Sequence, residues 1–219
     1  MKSLPIDAIM TTLLGQKHTF QNTALMDIQS EYKTPFHVLI SCILSLRTKD
    51  EVTGPASQRL FALADTPKGL LGLDLKVIEQ AIYPAGFYKT KARTIHKICK
   101  ILLEQYNGQV PTTHEQLLQL PGVGPKTAAI TMVYGHNQHD HIPTDTHVHR
   151  ISNRLGWVKT KLPEDTEIAL KLVVPKHYWK DLNDMFVQFG QNICKPISPW
   201  CSKCPVAHYC PKIGVKKSR

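Results

Sequence analysis

Apolar residues recur at three- and four-residue intervals along most of the chain, and no stretch of any length alternates with the period of two that a strand requires. From Tyr88 to Leu103, Ile95, Ile98, Cys99 and Leu102 fall on one helical face, while Lys89, Arg93, Lys97 and Lys100 sit largely elsewhere. This is the pattern of a core-facing helix with a basic outer side. Similar segments cover Ile6 to Leu14, Phe36 to Leu46, Glu51 to Ala64, Val77 to Tyr83, His114 to Gln119, Pro125 to Tyr134, Thr146 to Leu155, Pro163 to Leu172 and Tyr178 to Ile193. Ten short helices, punctuated by prolines and glycines, predict an all-α fold. The polar, histidine-rich stretch His136 to His141 interrupts them and is expected to link two helical lobes. Its histidines have no regular ligand spacing, so a polar linker is preferred to a metal site. The basic tail Lys212 to Arg219 is expected to be disordered.

Composition narrows the class. The chain has 219 residues, 42% of them hydrophobic and 20% charged, as in a soluble globular protein rather than a disordered or fibrous one. The longest nearly apolar run, Phe36 to Leu46, is interrupted by His37, Ser41 and Ser45 and is too short to cross a bilayer. Met1 to Gly15 lacks the features of a secretory signal. A reducing, cytoplasmic setting is therefore expected, nucleoid-associated in a prokaryote. The 27 basic and 17 acidic residues leave a net charge of +10, which favours a polyanionic partner. The excess is uneven: residues 1–140 carry +3 and residues 141–219 carry +7.

Cys42 and Cys99 lie on apolar helical faces and read as small core residues. Cys194, Cys201, Cys204 and Cys210 fall within seventeen residues, spaced C-x6-C-x2-C-x5-C. In a reducing compartment such a group is expected to bind metal rather than to form disulfides. A zinc tetrahedron usually draws on two tight cysteine pairs, and only one is present. An iron–sulfur cluster accepts thiolates strung unevenly around one loop, which Pro196, Pro199 and Pro205 would stiffen. The spacing favours the cluster and leaves zinc open.

Leu120-Pro121-Gly122-Val123-Gly124-Pro125-Lys126 joins two helical patterns through a two-glycine turn. Gly122 and Gly124 permit positive φ and close backbone approach, and Pro125 suits a first helical position. The amides at the start of the following helix would suit an anion such as a DNA phosphate. Lys126 stands in the first helical turn, where the positive end of the dipole favours a neutral, nucleophilic amine. Asp145 precedes another helical pattern as an N-cap. Plain capping explains it fully; a carboxylate directed across a cleft at Lys126 is the sharper reading.

These segments together resemble the endonuclease III family of DNA glycosylases, of the helix-hairpin-helix superfamily. The likeness is carried by LPGVGPKTA at 120–128, DTHVHRISNRLGW at 145–157 and FGQNICKPISPWCSKCPVAHYC at 189–210, and more weakly by ILSLRTKDEVT at 43–53 and GFYKTKA at 86–92. The resemblance implies two helical lobes with a DNA-binding cleft between them, one spanning 25–137 and carrying the helix-hairpin-helix, the other 1–24 with 138–219 and carrying a 4Fe-4S cluster on Cys194, Cys201, Cys204 and Cys210. It implies a bifunctional enzyme, a DNA N-glycosylase and abasic-site lyase that removes oxidised pyrimidines from double-stranded DNA in base excision repair. Lys126 would be its nucleophile and Asp145 the carboxylate partner.

By the same resemblance, Phe87 would be an apolar wedge filling the gap left by a flipped base. Arg47 stands where relatives often carry glutamine beside the orphaned base, a departure that bears on opposite-base preference. Gly122, Val123 and Gly124 of the hairpin would contact the DNA backbone. So would His147, Arg150 and Lys195, the last in a cysteine loop with fewer basic residues than is usual. A monomer is expected. The alternatives are a monofunctional mismatch glycosylase of the same fold, disfavoured by Lys126 and by the lack of a further domain after Arg219, and a non-catalytic DNA-binding module.

Overall fold

The structure, a computed structural model, describes residues 4–20 and 34–219, and every element among them is helical. Two compact units result: the described residues 34–138 form one, and His139–Arg219 joins the described N-terminal residues in the other. The change of unit falls at 138/139, beside the expected boundary at 137/138; the boundary expected at 24/25 lies outside the described residues.

The first helix, α1 (Ile6–Gly15), belongs to the second of these units. The other unit is built on α2 (Pro35–Ser45), α3 (Asp50–Leu63), α4 (Pro67–Leu71), α5 (Leu75–Ile82), α6 (Tyr88–Gln105), α7 (His114–Leu118) and α8 (Pro125–Ile130). Helix α2 is buried from Phe36 to Leu44, as its nearly unbroken apolar run requires, and α3, α6 and α8 pack against it. Thr34 caps it by accepting from the His37 amide, and Pro35 occupies N1. Helix α6 turns Ile95, Ile98, Cys99 and Leu102 into the core and its lysines largely outward, as the periodicity predicts, with Lys91 the exception. Helix α4 has too few residues to show a period. Its start was nonetheless written in Thr66-Pro67, where Thr66 Oγ1 accepts from the Gly69 amide.

The segment expected as one helix from Pro125 to Tyr134 leaves the α-helical pattern after Ile130 and continues as a π-helical turn, Thr131–Gly135. The wider turn brings Gly135 against Pro35, where a Cβ would lie 2.9 Å from the proline Cα.

The second unit packs α1 with α9 (Thr146–Arg154), α10 (Pro163–Val173) and α11 (Trp179–Asn192) around Ile9, Met10, Leu13, Phe186 and Phe189. The expected disorder of the tail is not what the structure shows. Ile213 donates its amide to Arg154 O (3.2 Å), Arg219 donates to Pro199 O (2.9 Å) and accepts from the Ser202 amide (2.9 Å). Side chains reinforce these bonds: Ile213 lies against Gly156, and the Arg219 guanidinium stands 4.9 Å over the Trp200 ring. The basic composition of 212–219 hid this, because the attachment runs mainly through backbone groups. No described helix is long and apolar enough to cross a membrane.

Candidate active site

Helices α7 and α8 flank the glycine turn. Thr113 caps α7 through the Gln116 amide (3.3 Å), and Leu117, Leu120 and Val123 bury the underside of the hairpin. Gly122 has φ +76°, a value that only glycine takes at little cost, and a Cβ there would press on Thr94 Cγ2 at 3.1 Å. Gly124 departs from the expectation of positive φ. It is extended at φ −102° and ψ 178° because it is the N-cap of α8, and a Cβ on it would meet nothing within 4 Å. Its upper side is thus open. Pro125 takes N1, and Lys126 follows on the exposed side of a helix whose next four residues, Thr127 to Ile130, are all buried. Beneath it lies Cys42, packed with Val38 and Ile130; burial pushes this thiol up to about 12 against the opposing influence of the Lys126 charge. Cys99 is likewise raised to about 12 by burial, so both cysteines are inert core residues.

Arg47 and Phe87 stand together in the same unit. Both have positive φ, 52° and 56°, which neither residue type favours, and the Arg47 guanidinium lies 5.8 Å from the centre of the Phe87 ring. Phe87 is 63% exposed, so it is no core residue. With Gly122 they line an open, largely apolar depression of about 380 Å³.

In the other unit Asp145 is the N-cap of α9. One carboxylate oxygen accepts from the His147 amide (2.8 Å) and from the Val148 amide (2.9 Å). The segment leading to it is fixed by Glu167 of α10, which accepts from the Ile142 amide (3.2 Å), His141 Nδ1 (3.0 Å) and Lys171 Nζ (2.9 Å). Asn183 of α11 donates to Pro143 O (2.7 Å). One turn on, Arg150 does not reach outward as a free cation. Its Nη2 meets His147 Nδ1 (3.1 Å) and donates to the carbonyls of Cys194 (3.0 Å) and Gly190 (3.5 Å), and burial lowers its pKa. Lys195 is exposed.

The four C-terminal cysteines line one small cavity, with about 30 Å³ of room for water-sized guests, among Ile151, Leu155, Phe189 and Val206. Burial raises the Cys204 thiol to about 11, with Cys194, Cys210 and Cys201 each adding to the rise. Among the described residues, however, no three His, Cys, Asp or Glu side chains are placed to hold a single metal ion.

Residues 40–176 match the family described as HhH-GPD superfamily base excision DNA repair protein. Endonuclease III of Thermotoga maritima is 48% identical over 176 residues, 80% of this chain and 82% of that one. The chain belongs to the endonuclease III family. A chloroplastic endonuclease III homolog 2 of Arabidopsis thaliana is 45% identical over 80% of this chain, which spans only 48% of that longer protein. A solved structure described as a trapped endonuclease III–DNA covalent intermediate, an estranged-adenine complex, superimposes with a TM-score of 0.76 at 33% identity, covering 86% of this chain and 93% of that one.

Two residues of this endonuclease III family member went unnoticed in the sequence. Arg154, 8% exposed, donates to the carbonyls of Lys195 (2.7 Å) and Pro196 (2.7 Å) and to Cys194 Sγ (3.3 Å), while its own carbonyl accepts from Cys210 Sγ (3.5 Å). It clamps both ends of the cysteine loop. Its signal was the 147, 150, 154 stripe, one face of a helix. Lys91, 6% exposed, occupies the first step of the series 91, 95, 98, 102, the apolar face of α6. A lysine in that register is buried by the same period that buries the isoleucines.

Proposed function

We propose that Lys126 and Asp145 carry the activity of a bifunctional DNA glycosylase and abasic-site lyase of base excision repair, acting on oxidised pyrimidines in double-stranded DNA. The observation that carries the reading is the presentation of Lys126: an exposed residue at the start of a short helix whose next four residues are buried, directly after an open hairpin.

The damaged nucleotide is flipped from the stack, since its sugar C1′ cannot be attacked within the duplex. The Lys126 amine attacks C1′ and the base departs, taking up a proton. Ring opening leaves a Schiff base between Nζ and C1′, which acidifies the C2′ hydrogens. Loss of one of these as a proton expels the 3′ phosphate and cuts the strand, and water then releases Lys126. Asp145 assists by accepting the proton of the attacking amine and by stabilising positive charge on the sugar. Both cap bonds fall on a single carboxylate oxygen, which supports a second role for the group.

Gly122, Val123 and Gly124 offer hairpin backbone to a phosphate, and the open side of Gly124 supports a close approach. Phe87 fills the space vacated by the base, and Arg47 lies beside it. Lys195 adds a phosphate contact from the cysteine loop. Arg150, with His147, contributes by holding that loop through the Cys194 carbonyl.

Cys194, Cys201, Cys204 and Cys210 would hold a 4Fe-4S cluster. All four line one small cavity, and their spacing holds one tight pair where a zinc tetrahedron usually draws on two. A larger polynuclear group suits both facts. When bound it supplies a rigid cross-link for the DNA-facing loop rather than bond chemistry.

Borohydride trapping on abasic-site duplex tests the assignment. The intact protein should form a covalent adduct and Lys126→Ala should form none. Adduct persisting in the variant would displace Lys126, and no adduct with the intact protein would indicate a monofunctional glycosylase. Anaerobically purified protein should be yellow-brown; colourless protein with stoichiometric zinc would overturn the cluster.

A further inference from the structure

Arg47 and Phe87 sit on two different loops, forty positions apart in sequence, and a single polar knot ties those loops together. The Lys91 ammonium, buried at the start of α6, donates to the last buried carbonyl of α2, Leu44 O (2.6 Å), and to Thr48 Oγ1 (2.6 Å). The same hydroxyl oxygen accepts from the Gly86 amide (3.1 Å). Gly86 lies so close to the other loop that a Cβ there would stand 2.5 Å from Arg47 O. On either side of this knot a non-glycine residue is held at positive φ with its side chain exposed. Such strain persists only where surrounding bonds over-determine the backbone, and here those bonds are the lysine and threonine contacts.

We infer that Lys91 and Thr48 are positioning residues, a latch that locks the Arg47 and Phe87 loops into one preformed wedge for entry into the duplex. The inference rests on the reading of Phe87 as the wedge. Lys91 acts by placing others: its contacts run to Leu44 O and Thr48 Oγ1. Its two acceptors are neutral oxygens, and burial lowers its pKa to about 8. A buried cation held among the described residues by two neutral oxygens is costly, so the position is not explained by core stability. The strained pair requires it: without the latch both loops relax, and the ring and guanidinium no longer arrive together at the gap.

The test uses the full chain and a duplex carrying a tetrahydrofuran abasic analogue opposite 2-aminopurine, whose fluorescence rises when it is unstacked. Binding by the intact protein should raise the signal, and Phe87→Ala should abolish the rise. Lys91→Met and Thr48→Val should abolish it as well while anisotropy still reports binding, and should slow base excision on the order of tenfold to a hundredfold, the cost of a small misplacement. Thr48→Ser, which keeps the hydroxyl, should restore both. If Lys91→Met does not fold, the Thr48 pair still decides. A full signal in Lys91→Met or Thr48→Val, with Phe87→Ala dark, would overturn the latch and leave the wedge standing. A full signal in Phe87→Ala would remove the wedge and the latch with it.

Discussion

Asp145 caps α9 and, in the proposed mechanism, serves Lys126, two jobs that substitution can separate. Asparagine keeps an oxygen for the His147 and Val148 amides but has no charge, so Asp145→Asn should melt within about 1 kcal/mol of the parent while base excision falls on the order of a hundredfold or more. Asp145→Ala should lose both, with the cap costing about 1 kcal/mol in a denaturation series. If Asp145→Asn kept full excision, the residue would be only a cap. Phe87 offers the opposite contrast. It is exposed and strained, so Phe87→Gly relieves a left-handed conformation worth about 1 kcal/mol or more and gives back a similar amount in chain entropy. Stability measured by urea unfolding should barely change, whereas excision from duplex should fall. Both residues were visible in the sequence, Asp145 from its place before a helical period and Phe87 from its short motif. Their backbone conformations were not, because a φ of 56° at phenylalanine is imposed by tertiary contacts rather than by local preference.

Helix α10 earns its place through Glu167. Burial alone would raise this carboxyl, but hydrogen bonds from His141 and Lys171, the Lys171 charge and the Ile142 amide together hold it down to about 2 from an ordinary 4.5. A depressed carboxylate stabilises the fold fully above its unfolded value. That stability, about 3 kcal/mol by linkage, should drain away as pH falls from about 4.5 to about 2. Glu167→Gln should flatten the acid limb of a stability-versus-pH curve over that window and loosen the segment leading to Asp145; an unchanged acid limb would refute the linkage. At this scale the long periodic helices were legible, since their period was their packing. Helix α4, a single short turn marked mainly by its Thr66-Pro67 start, was not among the expected segments, and neither was the π-helical break after Ile130, which accompanies the approach of Gly135 to Pro35.

Across the whole molecule the charge excess is concentrated in residues 141–219, which contribute +7 of the +10. Duplex affinity should therefore fall steeply with salt, and Lys195→Ala should lower the slope of log affinity against log salt by about one if Lys195 meets a phosphate. An unchanged slope would remove that contact. Cysteine spacing announced the loop, but nothing in the spacing announced Arg154 as its clamp or the tail that closes over it, because both act through backbone carbonyls and amides. Gly190 shows how far such dependence extends. On α11 its missing side chain leaves the room occupied by the His147 ring and by Arg150 Nη2, which a Cβ would approach to 2.8 Å. A genetic screen for repair-deficient alleles should recover alanine and serine at this codon, although the residue has no chemistry of its own. In the alanine allele a mutator phenotype would then trace to the addition of a single methyl group.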